Sequence, residues 1–142
     1  MATETVYLAG GCYWGFEDLL SEIPGVVDTT VGFSGGHVKN VCYREVTTGT
    51  TGHAETVKVV FDSDILSFKD LLLFFFKIHD PTTLNQQGND IGTQYRSAIF
   101  ATNNAVSVAI GRLTAHFNLL FELSIPKSAL PIRSCKLSFA WL

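Results

Sequence analysis

Cys12 follows Gly10-Gly11 and precedes a run, Tyr13 to Ile23, in which Phe16, Leu19, Leu20 and Ile23 fall at helical spacing. The first turn of a helix presents unpaired backbone N–H groups and about half a positive charge. Both favour a thiolate, and cysteines so placed titrate in the range ~3.5–7.5 rather than near ~8.5. The pattern therefore predicts a reactive thiol, with two glycines that let a substrate approach closely. A small buried core cysteine fits the same spacing. Tyr13 and Trp14 come next and predict an apolar wall for a methyl or thioether group, with ordinary aromatic packing as the alternative. Glu55 shares a strand face with Val57, Val59 and Phe61. A carboxyl facing a core is costly unless paired or protonated. Burial raises its pKa and makes it a proton donor near neutral pH, the property of a general acid. A strand-end residue turned to solvent beside Gly52 is the other reading.

A fourth feature is the polar stretch from Asp80 to Gln94, with Asn85, Gln86, Gln87, Asn89 and Asp90, followed by Tyr95. A loop of that length in a compact domain is usually functional, though a plain solvated loop has the same composition. His37, His53, His79 and His116 show no metal-site spacing with the cysteines, and neither a P-loop nor a GxGxxG fingerprint is present. No metal and no bound organic cofactor are expected.

The elements that must position these residues are legible from periodicity. Thr5 to Ala9 reads as a buried strand, broken by Gly10-Gly11. The helix from Tyr13 to Ile23 is stopped by Pro24-Gly25. Val27, Thr29, Val31 and Phe33 alternate as a second strand. Ser34 to Asn40 and Thr47 to Gly52 are glycine-containing loops. His53 to Asp62 is a third strand, Ser67 to Ile78 a second helix, and Ser97 to Ala101 a fourth strand. Asn103 to Leu120 reads as a further helix, and an irregular tail follows it. The order up to Ala101 is the split βαββαβ pattern, an α+β, ferredoxin-like sandwich.

Composition narrows the class of function. The chain has 142 residues, of which 46% are hydrophobic, enough for one domain with a real core. Its net charge is −3 with no Lys/Arg cluster, which argues against nucleic acid or an anionic membrane as partner. The most apolar run, Leu71 to Phe76, is far too short to span a bilayer. Met1 to Thr5 lacks both a basic region and an apolar signal core, so export is not expected. Three cysteines, Cys12, Cys42 and Cys135, form an odd, sparse set suited to an intracellular thiol protein. A cytoplasmic location and a monomer are expected.

Taken together, the segments GGCYWG (10–15), VGFSGG (31–36), YREV (43–46), TGHAETVKVVFD (51–62), HDPTT (79–83) and QGNDIGTQYRSAIF (87–100) resemble the peptide methionine sulfoxide reductase family of the A type. The resemblance implies that Cys12 is the nucleophile and Glu55 the acid that protonates the sulfoxide oxygen. Tyr43 and Tyr95 would hydrogen-bond that oxygen. Tyr13, where the family more often has Phe, and Trp14 would hold the substrate methyl group, and Asp90 would support the site. The implied substrate is methionine (S)-sulfoxide, free or in oxidised proteins under repair after oxidative stress. A Cys12 sulfenic acid would form, and thioredoxin would recycle it through a disulfide.

The chain departs from the family pattern in two places. Val41-Cys42 precedes Tyr43 where Pro-Thr is usual, and Thr47 follows Val46 where many members have a cysteine. Beyond about Asn104 the likeness fades, which divides the chain into a reductase domain, 1–118, and a divergent tail, 119–142. Cys42 adjoins a site tyrosine and Cys135 lies in the unmatched tail, so each is a possible resolving thiol; a buried structural cysteine is the plainer reading of Cys42. The altered end raises an alternative, a catalytically impaired form that binds oxidised methionine without turnover. A general thiol peroxidase is a weaker third reading.

Overall fold

The structure, a computed structural model, describes residues 2–39, 41–100 and 102 and the backbone of 122–124. The first strand, β1 (Thr3–Gly10), pairs antiparallel with β3 (Ala54–Asp62) on one side and β6 (Ser97–Phe100) on the other. β2 (Val26–Ser34) pairs antiparallel with the outer edge of β3. The sheet order β2-β3-β1-β6 is that of the ferredoxin-like sandwich expected from the element order.

Alternation along the strands sends neighbouring residues to opposite faces. Val6 and Leu8 of β1, Val57, Val59 and Phe61 of β3 and Ile99 of β6 meet the two main helices in one core. Helix α1 (Tyr13–Ser21) contributes Phe16 and Leu20, and α3 (Phe68–Lys77) contributes Leu71, Leu72 and Phe75. Ala9, Ala54, Ala98 and Phe100 form a smaller cluster with Tyr7. The Leu71–Phe76 run thus lies within α3, and among the described residues no helix is long and apolar enough to cross a membrane.

Both helix ends follow local chemistry. α1 stops at Ser21, short of the expected Ile23, because a residue before proline is pushed out of the helical region and Gly25 turns at φ +101°. α3 is capped by Ser67, whose hydroxyl accepts from the Asp70 N–H at 3.1 Å. Asp70 in the first turn and Lys77 in the last complement the helix dipole. Ser67→Ala is expected to cost about 1 kcal/mol, read as a lower urea midpoint with an unchanged slope.

Several regions differ from the sequence reading. A short helix, α2 (Tyr43–Thr47), precedes the Thr47–Gly52 loop and takes in its first residue. It is too short to show a helical period, but Glu45 caps it by accepting from the Cys42 N–H at 2.8 Å. The Asp80–Gln94 stretch is not plain loop. It holds a small hairpin, β4 (Gln86–Gln87) with β5 (Asp90–Ile91), and a 3-10 turn, Thr93–Tyr95. In the segment read as an irregular tail, Glu122–Ser124 form β7, a parallel neighbour of β6. Three residues are too few to show strand alternation, and the exposed backbone edge of β6 supplies the pairing. The expected helix Asn103–Leu120 and Cys135 lie outside the described residues.

Candidate active site

β1 ends at Gly10, and the chain turns through Gly11 at φ +105° into Cys12, the residue at the N-cap of α1. The Cys12 side chain is exposed and not in a disulfide. Exposure removes the buried core cysteine as an explanation of this residue. The turn also aims the start of α1 at β3: the backbone N–H of Tyr13 donates to Oε2 of Glu55 at 3.1 Å.

Glu55 lies opposite Phe33 in the β2–β3 register and is 2% exposed, so it is not a strand-end residue turned to solvent. Burial pushes its carboxyl up; the Tyr13 N–H opposes this and the nearby Asp90 charge adds to it, leaving the group at about 7. Near neutral pH such a carboxyl is partly protonated and can donate.

Tyr43 opens α2 and Tyr95 closes the 3-10 turn. Both phenols are pushed up, first by burial and then by the charge of Glu55, with Asp90 and Cys12 adding further. Tyr95 also feels Tyr43. The two hydroxyls therefore stay protonated across the neutral range and remain hydrogen-bond donors. Five groups distant in sequence, Cys12, Tyr43, Glu55, Asp90 and Tyr95, thus share one local field. Asp90 itself is exposed on β5.

The expected aromatic wall is unequal. Trp14 is 47% exposed, whereas Tyr13 is almost wholly buried. The Tyr13 ring stands edge-on to Trp14 at 5.6 Å and tilted on Phe33 at 5.7 Å. Trp14 is the open member of the pair, and Tyr13 backs it from the core. Cys42 is half-buried at the N-cap of α2, directly before Tyr43.

Arg96 was not singled out by the sequence. Its guanidinium donates to the carbonyls of Gly52 and Thr93, each at 2.9 Å. It thereby ties the turn before β3, which carries Glu55, to the turn that carries Tyr95. The only signal was a single arginine between a polar loop and a strand. Among the described residues, no three His, Cys, Asp or Glu side chains gather where a metal ion could be held.

The model of the family described as peptide methionine sulfoxide reductase matches residues 4–125. The chain belongs to that family. A Saccharolobus solfataricus protein named peptide methionine sulfoxide reductase MsrA is 54% identical over 100 residues, covering 70% of this chain and 56% of its own length. The chain thus spans little more than half the length of that curated relative. Among solved structures, methionine sulfoxide reductase A of Corynebacterium diphtheriae superposes with a TM-score of 0.84 at 40% identity, over 88% of this chain and 66% of that one. Mxr1 from Saccharomyces cerevisiae, in reduced form, gives 0.81 at 32%, over 87% of this chain and 76% of that one. Mxr1 has also been solved in complex with Trx2, where the likeness, at 22% identity and a TM-score of 0.64, is one of fold.

Proposed function

We propose that the chain reduces methionine (S)-sulfoxide, free or in oxidised proteins, to methionine, as an oxidoreductase acting on sulfur with a disulfide as acceptor. The observation that carries this reading is the meeting of an exposed thiol, Cys12, with a buried carboxyl near 7, Glu55, and two phenols that respond to both.

In this reaction the Cys12 thiolate attacks the sulfoxide sulfur. The S–O bond breaks as the oxygen gains a proton, leaving Cys12 bonded to the substrate sulfur as a sulfonium. The hydroxide so released attacks the Cys12 sulfur, the S–S bond breaks, methionine departs with that electron pair, and Cys12 is left as a sulfenic acid. Cysteine is oxidised by two electrons and the sulfoxide is reduced by two. Glu55 supplies the proton, Tyr43 and Tyr95 hydrogen-bond the departing oxygen, and Trp14, backed by Tyr13, receives the methyl group. Asp90 keeps the Glu55 proton in place by its charge. A second thiol then condenses with the sulfenic acid, releasing water and leaving a disulfide. Cys42 and Cys135 are the chain's two candidates for that thiol. Thioredoxin reduces the disulfide by exchange; support comes from the related Mxr1, solved in complex with Trx2. The chain acts as a monomer in the cytoplasm, with neither nucleic acid nor membrane as partner, a placement supported by its sparse cysteines and net charge of −3.

The test is turnover of a racemic methyl aryl sulfoxide with dithiothreitol, followed by chiral chromatography. The S epimer is expected to disappear while the R epimer remains. No turnover by a chain that unfolds cooperatively overturns the reading. Tyr43→Phe and Tyr95→Phe are each expected to lower kcat roughly 10- to 100-fold. That is the loss of one hydrogen bond to developing charge, about 1.5–3 kcal/mol.

A further inference from the structure

Two side chains bind the stretch between α3 and β6 to the turn that carries Cys12. The amide of Gln87 pairs twice with the backbone of Asp80: its Oε1 accepts from the Asp80 N–H at 3.0 Å, and its Nε2 donates to the Asp80 carbonyl at 2.9 Å. The same side chain lies over Gly11. A Cβ placed on Gly11 would stand 2.8 Å from Gln87 Cγ and 2.9 Å from its Cβ. The loop and the Cys12 turn therefore touch at a residue with no side chain. Gln87 is also the cross-strand partner of Asp90 in the β4–β5 hairpin.

His79 anchors the start of the same stretch. Its Nδ1 is 2.6 Å from the Phe75 carbonyl and its Nε2 is 2.8 Å from the Ser97 hydroxyl. Ser97 in turn pairs with Gly10 across β1 and β6. A Cβ on Gly10 would lie 3.2 Å from the His79 ring. Both contacts of the stretch thus fall on the two glycines before Cys12.

We infer that Gln87 is a positioning residue: by clamping Asp80 and resting on Gly11 it holds the Cys12 turn and Asp90, its cross-strand partner, in place beside Glu55. This rests on the reading of the site as a sulfoxide reductase. The groups that act on Glu55 or feel its charge are the Tyr13 N–H of α1, Tyr43 of α2, Asp90 of β5 and Tyr95 of the 3-10 turn; Cys12 acts on the same two phenols. Of these, Asp90 is paired directly with Gln87. Releasing the clamp withdraws the Asp90 charge, which lets the carboxyl ionise at lower pH.

The experiment uses the full chain with Gln87→Met, which keeps a Cβ and Cγ over Gly11 but makes neither bond to Asp80. Gln87→Glu, which keeps the acceptor and loses the donor, is measured beside it. In Gln87→Met, kcat is expected to fall roughly 10- to 100-fold, the scale of a small misplacement of catalytic groups. The alkaline limb of its pH profile is expected to move to lower pH, which a loss of fold stability alone would not cause. A limb at the wild-type position, in whichever variant unfolds cooperatively, overturns the inference. If the wild-type chain shows no turnover, the reductase reading fails instead. The clamp is then judged by amide exchange across 85–92: faster exchange in the variant supports it, and unchanged exchange overturns it.

Discussion

Cys12→Ser is expected to abolish methyl sulfoxide reduction while leaving the fold intact. The expected loss in kcat is at least ~10³-fold, to the floor of the assay; removing an enzyme's nucleophile has cost up to about 10⁶-fold elsewhere. Serine presents an oxygen where the thiolate sulfur stood. Its hydroxyl is a far weaker nucleophile at neutral pH. Oxygen transfer to it would also have to form an O–O bond, a route with no counterpart to the sulfenic acid. Packing does not confuse the result, because Cys12 is exposed and makes no side-chain cap bond to α1. Serine is among the preferred N-cap residues, so the variant is expected to unfold at the same temperature or slightly higher. Two measurements check this together. With no reductant present, a sulfenic-acid trap labels Cys12 in the wild-type chain after sulfoxide is added and labels nothing at position 12 in the variant. Cooperative unfolding is compared in the same buffer. Turnover by the folded serine variant at more than a hundredth of the wild-type rate would falsify the assignment of Cys12 as nucleophile.

The parts of the site that the sequence revealed are those fixed by short-range rules. Gly10-Gly11 between a strand and a helical run places Cys12 at a junction, and the structure has that junction. Strand parity alone puts Glu55 with Val57, Val59 and Phe61, and Glu55 is buried on that face. What the sequence did not reveal depends on contacts between distant segments. Tyr13 and Trp14 are adjacent aromatics in one helical turn. The buried one, Tyr13, packs on Phe33 of β2, a contact that no local pattern announces. Arg96 and Gln87 act by binding backbone groups of Gly52, Thr93 and Asp80. Every residue carries a carbonyl, so a side chain that seeks one leaves no complementary residue type to find. α2 and the β4–β5 hairpin are shorter than the periods by which helices and strands are recognised.

Glu55→Gln is expected to lower kcat roughly 10²- to 10⁴-fold, the usual worth of a positioned general acid. It is also expected to make the protein more stable at alkaline pH. Both effects follow from the same burial. Desolvation lifts the carboxyl from 4.5 to about 7 against the opposing Tyr13 N–H, with Asp90 adding to the lift. As the proposed acid it would work in its protonated form, so wild-type activity is expected below about 7 and is expected to fall as pH rises through that value. The stability sign is set by the same shift. The folded value lies above the unfolded one, so the contribution of Glu55 is fully present below 4.5 and is lost as pH rises through about 7. The full loss is on the order of 3 kcal/mol. Glutamine is neutral at every pH, keeps the shape and still offers Oε1 to the Tyr13 N–H. Its stability relative to wild type should therefore be near zero at about pH 4.5 and rise to as much as about 3 kcal/mol by about pH 8.5. Urea unfolding of both proteins at several pH values measures the difference, and other titrating groups cancel in the subtraction. A constant difference across that window would mean that Glu55 does not hold its proton in the folded chain. A glutamine variant that kept its activity would mean that the proton reaches the oxygen from elsewhere, with Tyr43 and Tyr95 the nearest donors left. The two readouts together distinguish a buried carboxyl kept for chemistry, at a cost in stability above neutral pH, from one that merely packs.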